Sequence, residues 1–209
     1  MTADTRDLAG YAALLEALPA PAAHRTRAAM AREGTPYHGP EHLGRMWRLH
    51  REVHGEAGRP LVPLLIAYHD IVYEPAAPAG RNEAASVEAF LRDREACGLD
   101  EGQVRQITEA ILASADHLGE GIRLRPEDNE WGAWFLDLDL EPLASAHFDR
   151  NTERLRVEYA HVPPALFDQG RRAFLERLGT APYLFRTQAA RDLGWEEKAR
   201  NNLARVLGR

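Results

Sequence analysis

Between Leu61 and Tyr73 the chain reads Leu-Val-Pro-Leu-Leu-Ile-Ala-Tyr-His-Asp-Ile-Val-Tyr, and this stretch constrains the fold more than any other. From Leu61 to Tyr68 it carries no charge, so a helix built from it has no face to give to water and belongs at the centre of the protein. The run is too short to span a bilayer, and it leads directly into His69 and Asp70. An adjacent imidazole and carboxylate at the edge of a buried segment are costly to desolvate unless something compensates them. A metal ion would compensate both.

Around this segment apolar residues recur at three- and four-residue steps, and alternating strand patterns are nearly absent. Residues 7–18 carry Leu8, Tyr11, Leu14, Leu15 and Leu18 at helical spacing, Pro19 and Pro21 stop that helix, and 24–32 reads as a second short one. Gly34-Thr35-Pro36 interrupts the chain again, and Pro40 suits the first turn of a helix expected over 40–54, with Leu43, Met46, Trp47, Leu49 and Val53 turned inward. The central helix is expected over 61–73 and a loop over 74–80, where Pro75 and Pro78 fall. Further helices are expected over 83–96, 100–116 (with Asp100 as N-cap), 130–143, 146–160, 164–178 and 188–207. No repeat, low-complexity tract or linker interrupts the series, so the expectation is an all-α fold with a single domain over 1–209.

Composition excludes some classes of function. A formal charge of -6 argues against broad binding to nucleic acid or to an anionic membrane, both of which need a basic field. An apolar fraction of 44% with 28% charged residues is ordinary for a globule with a real core. Cys97 is alone, so no intrachain disulfide forms, and the residues after Met1 lack a basic stretch followed by an apolar one. A soluble cytoplasmic protein is the expectation. Lys198 is the only lysine, so any phosphate clamp here would be a guanidinium.

Four residues from three expected helices stand out as metal ligands: His42, His69, Asp70 and Asp139. A bundle can close such groups around an ion, and mixed imidazole and carboxylate ligands suit Mn, Fe, Zn, Co or Mg when coordination positions stay open to water. Asp137 competes with Asp139, because two residues apart on a helix they point about 200° apart and cannot both face one site. The other of the pair is a candidate to hold a ligand imidazole in its tautomer. His117 is a candidate for a second metal or a substrate phosphate, or else a helix C-terminal histidine meeting the dipole. Glu83 could reach a second ion, or simply place charge at a helix N-terminus, and Arg45 is either a phosphate contact or a solvated arginine. His50 and His54 read as part of a solvated face, His24, His147 and His161 as structural or surface residues, and Trp47, Trp131, Trp134 and Phe135 as core.

The order His, His-Asp, Asp on an all-α chain resembles the HD-domain superfamily of metal-dependent phosphohydrolases. More narrowly, Tyr37-His38-x-x-x-His42, His69-Asp70-Ile71-Val72-Tyr73 and Phe135-Leu136-Asp137-Leu138-Asp139-Leu140 resemble a family of small bacterial predicted HD phosphohydrolases. So do Glu158-Tyr159-Ala160-His161-Val162-Pro163 and Ala199-Arg200-Asn201-Asn202-Leu203, which extends the likeness over roughly residues 8 to 207, within the usual boundary error. The resemblance implies an HD-type bundle with its metal site between the central helices, and it favours Asp139 as the last ligand. The Tyr-His-x-x-x-His element is also similar to the opening of the metal site in cyclic-nucleotide phosphodiesterases. Carried over, that similarity makes His42 a ligand and His38 the general acid; Gly39 departs from the pattern, where an asparagine is usual.

The implied activity is hydrolysis of a phosphate ester or anhydride, with a divalent ion (Mn, Fe, Mg, Zn or Co) activating water and a small phosphorylated molecule, such as a nucleotide, as substrate. Two rivals follow from the same residues: an HD-fold di-iron oxygenase that recruits His117, and a non-catalytic nucleotide-binding regulatory module. Nothing in the sequence speaks to oligomeric state.

Overall fold

The computed structural model describes residues 4–119 and 123–208, and among these every regular element is a helix, with no strand. The α-helices are α1 (Thr5–Ala17), α2 (Ala20–Met30), α3 (Pro40–His54), α4 (Leu61–Tyr68), α5 (Arg81–Asp93), α6 (Glu101–Ala113), α7 (Glu130–Leu140), α8 (Phe148–Glu158), α9 (Pro164–Thr180), α10 (Gln188–Asp192) and α11 (Trp195–Leu207). Short 3₁₀ turns follow α5, α6 and α7 at Glu95–Cys97, Ser114–Asp116 and Glu141–Leu143. No helix among the described residues is long and apolar enough to cross a membrane.

Every residue of α4 is buried, and the helix packs against α1, α2, α3, α5, α6 and α7. Truncating one of its leucines to alanine should cost about 2–5 kcal/mol, because neighbours on all sides hold the cavity open. From α4 a continuous apolar cluster extends from Leu14 in α1 to Leu207 in α11 and includes Trp47, Trp134 and Phe135, while Trp131 packs at its edge.

Helix α3 begins as its sequence requires, with Gly39 at the N-cap and Pro40 in the first helical position, where a missing N–H costs nothing. It lies against α1 at Gly10 and Gly44. A Cβ on Gly44 would overlap the carbonyl oxygen of Asp7, and one on Gly10 would overlap the carbonyl of Gly44. The two backbones touch there, and this sets how deeply α3 carries His42 into the protein. Helix α6 opens with a reciprocal capping box: Asp100 accepts the Gln103 N–H at 2.8 Å, and Gln103 accepts the Asp100 N–H at 3.1 Å.

Two expected helices end early or divide. The central helix stops at Tyr68 rather than continuing to Tyr73. Arg32 collects the carbonyls of Asp70 at 2.8 Å and Ile71 at 3.3 Å. Residues 188–207 form two helices because Gly194 takes φ of 70°, a left-handed conformation that glycine alone adopts without strain.

Candidate metal centre

Three helix ends meet at one point. His42 stands in the first turn of α3, His69 immediately follows α4, and Asp139 lies in the last turn of α7. Ligand atoms of these three residues all lie within 4.8 Å of one another, so the group can hold a metal ion. Nε2 of His42 is 3.2 Å from Oδ1 of Asp139, and Nε2 of His69 is 3.8 Å from the same oxygen. Asp70 joins through His69, with its Oδ2 3.0 Å from Nε2. The C-terminal ends of α4 and α7 add partial negative charge, which favours a cation.

The tautomer of His69 follows from its partner. Nδ1 is 3.0 Å from the carbonyl of Ile66, which can only accept, so Nδ1 carries a proton. Nε2 is buried and has no hydrogen-bond partner, since Asp70 is close but not aligned for one. A buried nitrogen left over in this way, aimed at two carboxylates, is the arrangement of an imidazole ligand oriented from behind by a backbone carbonyl. The donor set therefore fits a metal ion.

The electrostatics say the same. For His69, burial disfavours the charged ring, yet the charges of Asp70 and Asp139 overcome this and push its pKa up to about 9. Burial acts to raise the pKa of Asp70, and the charges of His69 and His38 outweigh it and hold the group below the ordinary carboxylate range. Asp139 is likewise held well below that range, against burial, by hydrogen bonds from His117 and His42. Asp70 and Asp139 keep 17% and 18% of their side-chain surface exposed, so the cluster opens to solvent on one side.

His38 stands beside the cluster and is held by a residue that the sequence reading did not single out. Nδ1 of His38 lies 2.6 Å from Oε2 of Glu158 in α8, and Tyr73 donates its hydroxyl to the same oxygen at 3.0 Å. The other oxygen accepts the backbone N–H groups of Tyr37 at 2.6 Å and His38 at 2.8 Å. Burial works against a charged His38, but Asp70 and Glu158 raise its pKa above the ordinary imidazole value. Glu158 was visible only as part of a matching stretch, and nothing local marks it among the many acids of polar helix faces.

A second residue missed from sequence is Arg32. Besides the carbonyls of Asp70 and Ile71, its guanidinium binds the carbonyl of His38 at 3.0 Å, so one side chain ties the segment bearing His38 to the turn bearing Asp70.

The remaining candidates divide. His117 comes to the cluster, its Nε2 3.0 Å from Oδ2 of Asp139 and its Nδ1 buried without a partner. Asp137 does not hold a ligand imidazole. Its fully buried carboxylate accepts the N–H groups of Arg186 and Thr187, at 2.8 and 2.7 Å, and the Thr187 hydroxyl at 2.7 Å, at the start of α10. Arg45 is not a solvated arginine, because Glu141 grips it with bonds of 2.7 and 2.6 Å. The side chain of Glu83, in the first turn of α5, makes no hydrogen bond or ion pair among the described residues. His50 is not on a solvated face either; it is fully buried, and its Nδ1 accepts the indole N–H of Trp134 at 3.1 Å. Compared with family models, with curated proteins and with solved structures, the chain finds no match.

Proposed function

We propose that this protein is a metal-dependent phosphohydrolase that cleaves a small phosphate ester or anhydride, with nucleotides the first class to test. The observation that carries the reading is the buried Nε2 of His69, which makes no aligned hydrogen bond and faces His42, Asp139 and Asp70 in a cluster open to solvent. The order of these residues, which resembles that of HD-domain phosphohydrolases, supports it.

His42, His69, Asp70 and Asp139 would hold a divalent cation, Mn, Fe, Zn, Co or Mg. When bound, such an ion supplies Lewis acidity to a phosphoryl oxygen and makes water more acidic. His38 acts as the proton donor to the leaving oxygen: its Nδ1 is engaged by Glu158, which leaves Nε2 to deliver the proton. Tyr73, with its ring 4.1 Å from that of His38, packs against the imidazole and limits its rotation.

The test is elemental analysis of purified protein, then a panel of phosphomonoesters, phosphoanhydrides and nucleotides with the native metal restored. Replacing His69 and Asp70 by alanine is expected to remove metal and turnover together, and full turnover without metal overturns the reading. One observation favours a second reading. His117 sits 3.0 Å from the oxygen of Asp139 that His42 leaves free, which suits a second ion and hence a di-iron oxygenase. Iron in twofold excess over chain, with oxygen consumption and no phosphatase activity, would select that alternative.

A further inference from the structure

A cavity of about 340 Å³ lies between α8, α9 and the end of α11, and Phe148, Thr152, Arg171, Leu175 and Leu207 are among the residues that line it. It shares no residue with the metal cluster. The acidic groups of its lining are paired: Asp149 with Arg205 at 2.9 Å, Asp168 with Arg156 at 2.8 Å, and Glu153 with Arg156 at 3.5 Å. Arg172 is paired as well, with Glu176 at 3.0 Å.

Arg171 is the exception. Its guanidinium carbon lies 5.7 Å from the ring centre of Phe148 and 5.6 Å from that of Phe174. Its one side-chain hydrogen bond among the described residues, to the hydroxyl of Thr152, is long at 3.5 Å, and its Nε is buried without a partner there. No carboxylate pairs with it among the described residues. Arg32 and Arg154 also leave Nε buried without a partner, but their terminal nitrogens are held by short bonds, to three carbonyls and to Glu41, and Arg45 is held by Glu141; Arg171 has no such acceptor. Burial lowers the pKa of Arg171, opposed only by the phenol of Tyr37. Two aromatic contacts offset only part of the cost of removing a lone ion from water. An oxyanion at the guanidinium edge would offset the rest through paired, charge-assisted hydrogen bonds.

We propose that Arg171 is the recognition residue of a second, metal-independent site that binds a small phosphate-bearing ligand in this cavity. The guanidinium fork and the Thr152 hydroxyl take the phosphate oxygens, and Phe148, Leu175 and Leu207 cover an adjoining apolar group. A phosphate carries more charge than a carboxylate and so compensates a buried cation better. The cavity lies at the small end of the range of ligand pockets, which suits a compact ester. This inference stands apart from the proposed hydrolysis.

The experiment is calorimetry on the full chain after EDTA treatment, with inorganic phosphate and phenyl phosphate as probes; the pair distinguishes a site for the free anion from one for an apolar ester. Binding of either probe at one per chain is expected. Arg171→Met should weaken it at least about tenfold with the melting temperature unchanged or raised, since an apolar side chain in place of an unpaired buried charge is not destabilising. Arg171→Lys keeps the charge but loses the fork and should show an intermediate loss, and it carries the test if the methionine variant does not fold. His69→Ala should bind as the parent does. Absence of binding, undiminished affinity in the Arg171 variants, or loss of binding in His69→Ala overturns the proposal.

Discussion

The Nδ1 of His38 lies 2.6 Å from Oε2 of Glu158, a residue 120 positions further along the chain. That carboxylate is saturated, with four donors on its two oxygens: the His38 ring, two backbone N–H groups and the Tyr73 hydroxyl. Burial acts to raise the pKa of Glu158, and the hydrogen bond and charge of His38 outweigh it and keep the group ionised. One group therefore fixes both the loop before α3 and the tautomer of His38.

Glu158→Gln is expected to lower kcat about 10²-fold, the scale of a positioned general acid, while leaving bound metal unchanged. Metal analysis and steady-state kinetics on the same preparation check this. Loss of metal in proportion to activity would make Glu158 part of the scaffold of the cluster instead.

Asp137 and Asp139 should fail in opposite ways. Asp137→Asn turns an amide group toward three buried donors and should cost about 2 kcal/mol of stability, with metal per folded chain retained. Asp139→Asn should preserve folding and reduce metal affinity at least about tenfold. Urea unfolding and metal titration of both variants distinguish them, and the reverse pattern would exchange their roles.

Arg32 hydrogen-bonds backbone carbonyls at the two segments it joins and lies over the Tyr73 ring, so its loss should be felt as misplacement of Asp70 and His38. Arg32→Lys cannot span three carbonyls and is expected to weaken metal binding about tenfold. A competition titration with a chromogenic chelator measures this; an unaltered affinity would confine Arg32 to folding.

His50 sets a pH dependence of stability remote from the metal centre. Burial, and then the charge of His54, pushes its pKa down from 6.5 to about 4, so the folded protein keeps this ring neutral. Above pH 6.5 the ring is neutral in both states and its contribution is fully present. As pH falls from 6.5 toward 4 the unfolded chain takes up a proton that the folded chain does not, and about 3 kcal/mol is lost. Denaturant unfolding at pH 7 and pH 5 should show this slope in the parent and a shallower one in His50→Gln; equal slopes would refute it.

The helical architecture is legible because it is written locally. The uncharged run Leu61–Tyr68 demands a central position, and Pro40 and Asp100 mark helix starts, whereas the break at Gly194 inside the expected 188–207 helix emerges only in the structure. Period and capping are properties of neighbouring residues, so they survive without knowledge of the rest of the chain. His42, His69 and Asp139 could be picked out for a related reason: each pairs a metal-binding side chain with an apolar helix, and the three ends do converge.

What the chain could not declare is how its helices are rotated against one another. Glu158, Arg32 and Arg171 lie on polar segments, and nothing beside them in sequence tells a buried charge from a solvated one. Helix geometry separated Asp137 and Asp139 only as pointing apart, with the family resemblance favouring Asp139, and it was the packing of α7 that turned Asp139 toward His42 and Asp137 toward Thr187. His50 went inside for the same reason, drawn against Trp134 by the approach of α7 to α3. Burial of a polar group is decided by long-range partners, because only a partner in place offsets the cost of leaving water.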